Sequence, residues 1–105
     1  VAEARKEKLM DILFLVSTAE GGKFLLPLAR SCRRAGCTFG AFFTHQGVLG
    51  LKDAALQGAL EHAVRSVACE ESWHRFCGEL PCPAERGSQT VNSAMVGEAR
   101  RVVSL

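Results

Sequence analysis

Five cysteines and three histidines are the residues here with the widest chemical reach, and the stretch VRSVACEESWHRFCGELPC (64–82) holds three of those cysteines and His74. Cys69 stands where an apolar run, Val64 to Ala68, ends and a helical pattern, Glu70 to Cys77, begins. A thiol at a helix N-terminus feels the partial positive charge of the unpaired amides, which favours the thiolate, the only nucleophilic form. Glu70 and Glu71 follow directly and oppose that effect by their charge. A small buried hydrophobe is the competing reading of Cys69.

Other sets are weaker. Cys69, His74, Cys77 and Cys82 have the residue types of a zinc site, but no CxxC pair is present and the spacing fits no familiar tetrahedral set, so no metal is expected. Cys77 or Cys82 is a conceivable disulfide partner for an oxidised Cys69, although Cys77 reads as core and Cys82 as loop. Cys32 and Cys37 read as core residues. STAEGGK (17–23) has the look of a phosphate loop, yet Ser17 stands where the first glycine is needed and Phe24 where Ser or Thr is needed. Its backbone amides remain candidates for holding a small anion. His45, in FFTHQGV, follows a strand pattern and is expected on the same edge as Cys69, to shuttle a proton, to steady an anion, or simply to sit in water.

These side chains need a frame, and the apolar pattern supplies one. Ile12–Val16 is a continuous apolar run, as in a strand covered on both faces. From Lys23 to Ala35, Leu25, Leu28, Ala29 and Cys32 fall on one helical face, with Pro27 expected near the first turn and Gly36 as terminator. Cys37–Thr44 reads as the second strand, and THQGVLGLKD as a loop with one helical turn. Ala54–Ala63 is ambiguous, Val64–Ala68 is the third strand, and GELPCPAERGS (78–88) is loop. Asn92 or Ser93 is expected to cap a helix over Ala94–Ala99, and Arg101–Leu105 to close the chain as a strand. Strands alternating with helices imply an α/β fold: a three-layer α/β/α sandwich on a mainly parallel sheet of four to five strands.

The 105 residues fit a single domain, 1–105, with residues 1–9 as a flexible or helical extension. Hydrophobic residues make up 48% and charged residues 23%, which is a folded-protein balance rather than a disordered one. A net charge of +2, without concentration on one segment, gives no reason to expect nucleic-acid binding. No run approaches the roughly 20 apolar residues of a membrane span. The charged opening VAEARKEKLM does not read as a signal peptide, so a cytoplasmic location with mostly reduced thiols is expected. An odd number of cysteines cannot all pair within one chain.

Taken together, ILFLV, FFTHQGV, the position of Cys69 after the third strand and NSAMVGEARRVVSL resemble the DsrE/DsrF-like sulfur-relay family. The likeness runs from DILFLVSTAEGGKFLLPLARSCRRAG to EARRVVSL. It implies a three-layer domain that assembles into trimers or hexamers. It also implies a Cys69 that accepts sulfane sulfur from a donor persulfide and passes it to a partner protein's reactive cysteine, with no metal or organic cofactor. CEESWHRFC departs from the smaller, less acidic sequence common after the family's cysteine, Cys82 has no counterpart, and some relatives without the cysteine are structural subunits. Three functions follow as expectations: a sulfur carrier using Cys69 with His45 beside it, a redox-responsive thiol protein pairing Cys69 with Cys77 or Cys82, and a non-catalytic oligomeric subunit that binds a small anion.

Overall fold

Five strands form one sheet in the order β4-β3-β2-β1-β5, all parallel. The computed structural model describes residues 8–105. Along the chain come β1 (Met10–Val16), α1 (Gly21–Ala35), β2 (Phe39–Phe43), a 3₁₀ helix (His45–Lys52), α2 (Ala54–Leu60), β3 (Ser66–Cys69), α3 (Glu70–Cys77), β4 (Glu85–Gly87), α4 (Gln89–Glu98) and β5 (Ala99–Ser104). The expected three-layer α/β sandwich is the fold. Most of the extension expected over residues 1–9 lies outside the described residues. Leu9 is tied to the start of β5 through its amide, which donates to Glu98 O at 2.8 Å.

The order of strands fixes the layers. From β1 to β4 the chain steps one way across the sheet, so right-handed crossovers place α1, α2 and α3 on one face. The return from β4 to β5 runs the other way and puts α4 alone on the second face. Burial follows this division. Phe14, Val16, Leu25, Phe39, Phe43, Leu56 and Trp73 belong to the core under α1–α3, while Met10, Leu13, Phe42, Val67 and Met95 belong to a smaller one under α4. Every residue of β2 is buried, as a central parallel strand requires.

Local differences from the sequence reading have physical causes. Helix α1 begins at Gly21, so Pro27 is its seventh residue rather than a first-turn residue. Gly21 lets the helix start hard against β1: a Cβ there would lie 2.7 Å from Val16 Cγ1. Leu28, expected in the core, is 39% exposed. The loop after β2 is two and a half turns of 3₁₀ helix, admitted by Gly47, whose missing Cβ would meet Val16 O at 2.1 Å. Loop 78–88 contains β4, a three-residue strand whose pairing is secured by Arg65 Nε donating to Glu85 Oε1 at 2.9 Å. Helix α4 starts at Gln89 behind Ser88, so Asn92 and Ser93 lie inside it and cap nothing. Among the described residues no helix is long and apolar enough to cross a membrane.

Candidate thiol site at the carboxyl edge of the sheet

Cys69 is the last residue of β3 and immediately precedes α3. The connection leaving β3 goes to one face of the sheet and the connection leaving β4 goes to the other. A crevice must open between their carboxyl ends, which is where open α/β sheets bind ligands. Cys69 sits at that point. One cleft beside it, about 370 Å³, is bordered by Thr44, His45, Ser72, Arg75, Phe76 and Gln89. A second, about 340 Å³, is bordered by Glu70, Glu71, His74, Gly87, Ser88 and Gln89. The thiol forms part of both walls while its residue is only 7% exposed.

The surroundings of the sulfur favour its anion. Burial by itself pushes the thiol up, as for any charge moved from water. The Ser72 hydroxyl, the backbone N–H groups of Ser72 and Glu71 and the Thr44 hydroxyl outweigh it and hold Cys69 below the ordinary thiol value. The amides are those of the second and third residues of α3, the unpaired donors that every helix leaves at its start. Cys69 makes no side-chain capping hydrogen bond to the helix, and these donors count through their preference for the charged form of the sulfur. Glu70 and Glu71 are exposed, and water screens their carboxylates. Glu71 thus assists through its amide, where its charge alone would oppose ionisation.

Ser72 connects the two sequence-predicted residues. Its Oγ accepts from the His45 amide at 2.8 Å, which leaves its own hydrogen free to point at the sulfur. His45 has φ 51°, a left-handed conformation uncommon for a residue with a side chain, and it turns the chain from β2 into the 3₁₀ helix. The structure therefore brings Cys69 and His45 to one cleft, bridged by Ser72. Gln89 Nε2 reaches Thr44 Oγ1 at 3.4 Å and joins the start of α4 to the end of β2 across the same opening. Arg75 lies against the Phe76 ring, 5.3 Å from its centroid, and places a cation on the wall.

Several proposed associations are not formed. The turn at Ser17–Gly21 does not border the Cys69 clefts; within it Ser17 N donates to Leu105 O at 2.9 Å and Gly21 N to Thr18 O at 3.1 Å. Cys69 packs with the α4-side core, whereas Cys77 and Cys82 pack on the other face. Cys69 and Cys77 stand at opposite ends of α3, roughly 12 Å apart along its axis at about 1.5 Å per residue, and a disulfide needs Cα atoms within about 7 Å. A bond between them requires α3 to unwind. Among the described residues no three His, Cys, Asp or Glu side chains gather into a metal-binding group.

Ser72 and Thr44 were missed by sequence reasoning. The readable signal for Ser72 was its place three residues after Cys69, where a side chain returns toward the residue that starts a helix. Thr44 reaches the site only through strand pairing, since β2 and β3 align Phe43 with Ala68. No family model matches the chain, and no curated protein matches it.

Proposed function

We propose that the protein is a sulfur carrier of the DsrE/DsrF-like relay type, with Cys69 as the persulfide-forming residue. The observation that carries this reading is the thiol itself: set at the crevice between β3 and β4, beside four donors that favour its anion, and lining two surface clefts. The Cys69 thiolate attacks the outer sulfur of a donor persulfide, the donor's S–S bond breaks, and the donor leaves as a thiolate. Cys69 then holds the transferred sulfur as –S–SH, and an acceptor thiolate removes it by the same displacement. His45, on the cleft wall, returns a proton to the departing thiolate. Arg75 attracts anionic sulfur species to the opening. No metal or organic cofactor takes part.

Donor and acceptor are proteins with reactive cysteines, and the five thiols suit a cytoplasmic, reducing compartment. Assembly into a homo-oligomer, a trimer or hexamer, is part of the proposal. Phe24, 61% exposed, and Leu28 lie one turn apart on α1 and support it as uncovered apolar surface.

The test is sulfur loading. Reduced protein is incubated with a polysulfide donor and its intact mass is read, beside Cys69→Ser. A gain of one sulfur atom that the variant lacks supports the carrier. A two-hydrogen loss that needs Cys69, with no sulfur gained, would replace it with the redox reading. No change would leave an inert subunit.

A further inference from the structure

A second pair of thiols lies at the other end of the sheet, in the segment CRRAGC that ends α1. Gly36, at φ 72°, closes this helix in the left-handed conformation. The Cys37 amide donates to Cys32 O at 2.8 Å and the Gly36 amide to Arg33 O at 3.3 Å. These two bonds define the Schellman ending, whose outermost pair of residues is here Cys32 and Cys37 and in which those side chains pack together. Both cysteines accordingly join the same apolar cluster under α1. Cys32 is buried, at 7% exposure, and Cys37 is half-buried. Cys32 is pushed up to about 11, by burial first and then by the neighbouring Cys37.

We propose that Cys32 and Cys37 are a reversible redox site, which closes to a disulfide on exposure to low-mass disulfides and staples the end of α1 to the start of β2. Cys37, the reachable thiol, gives its proton to water and attacks one sulfur of the low-mass disulfide. That S–S bond breaks and one low-mass thiolate leaves, taking up a proton. Cys32 then loses its proton to solvent, attacks Cys37 Sγ and expels the second low-mass thiol. Two electrons and two protons pass from the protein to the disulfide, which becomes two thiols. The raised Cys32 makes the second step slow in thiolate supply, but its partner is already adjacent, so closure wins over lasting adduct formation. The site lies at the amino end of β2, opposite the edge that carries Cys69, so it neither blocks nor supplies the Cys69 crevice.

Trypsin makes the site readable, because Arg33 and Arg34 separate the cysteines onto peptides 31–33 and 35–52. The reduced 105-residue chain carrying Cys69→Ser, Cys77→Ser and Cys82→Ser is incubated with oxidised glutathione, capped with iodoacetamide and mapped, beside the same chain carrying Cys32→Ser or Cys37→Ser as well. We expect a two-hydrogen loss without retained glutathione, a link between peptides 31–33 and 35–52, and reversal by dithiothreitol. Cys32→Ser should instead retain glutathione on Cys37, and Cys37→Ser should show neither link nor adduct. The oxidised form should melt higher, by on the order of 5 °C, as for a short closed loop, and neither cysteine variant should show that rise. Glutathione retained on Cys37 while Cys32 is present, a two-hydrogen loss that persists in Cys37→Ser, or no reaction at all would overturn the proposal.

Discussion

Ser72→Ala removes one of the four donors around the Cys69 sulfur and leaves the strands in place. A hydrogen bond to a charged group is worth about 1.5–3 kcal/mol, and the low end applies because three other donors remain: the Ser72 and Glu71 amides and the Thr44 hydroxyl. A loss of about 1.4 kcal/mol reduces the thiolate fraction on the acid side of the profile about tenfold. A more basic thiolate is also a better nucleophile, and a Brønsted slope near 0.4–0.5 returns about threefold. The net expectation is alkylation of Cys69 about threefold slower on the acid limb of the profile. The rate profile should move to higher pH, and the alkaline plateau should rise about threefold. The assay is iodoacetamide labelling followed on tryptic peptide 66–75 as a function of pH. Ser72→Thr keeps the hydroxyl and should restore the original profile. A Ser72→Ala profile that stays in place or moves toward acid would refute the assignment of Ser72 as a donor to the thiolate. The His45 amide also loses its acceptor in Ser72→Ala, so a stability loss of about 1–3 kcal/mol should accompany the kinetic change.

Gly47→Ala should destabilise by about 3 kcal/mol or prevent folding, because the new Cβ would lie 2.1 Å from Val16 O; urea titration measures it. Gly58→Ala, with open space around the added Cβ in α2, should stabilise by about 0.5–1 kcal/mol in the same titration. Trp73→Ala should cost about 3–5 kcal/mol, since the ring is buried and its Nε1 donates to Leu80 O at 2.8 Å. Asp11 accepts from the Thr38 amide and hydroxyl and lies 3.4 Å from Arg100 Nε, contacts that hold its carboxyl below its ordinary value. A depressed carboxyl contributes stability that is complete above the ordinary carboxylate range and lost as pH falls through the folded value. Asp11→Asn should therefore flatten the acid side of a melting-temperature profile, and an unchanged profile would contradict the pairing.

The sequence carried the layered fold because its strong signals are physical ones. ILFLV can only be a covered strand, and the glycine-ended α1 has a clear apolar stripe. It did not carry β4, since Glu85, Arg86 and Gly87 lack every strand preference and pair only because Val67 to Cys69 offer them an edge. The start of α4 was hidden for a related reason: Met95 is its one fully buried residue, so Gln89–Glu98 shows little amphipathic pattern. Cys69 was legible as the residue at a strand-to-helix junction. Its placement at the crevice was fully legible only after β4 and the reversal of the crossover were known. Thr44 and Gln89 reach the cleft beside the thiol through pairing and packing between distant segments, which spacing along one chain does not encode.

Replacing Cys32, Cys37, Cys77 and Cys82 by serine leaves Cys69 as the sole thiol, and this chain allows the most direct measurement. It is loaded with polysulfide, freed of excess donor, weighed intact, and weighed again after mixing with a small acceptor thiol. We expect one added sulfur per chain that disappears on transfer and appears as acceptor persulfide. A folded single-thiol chain that gains no sulfur, or gains it and never yields it, would contradict the carrier role.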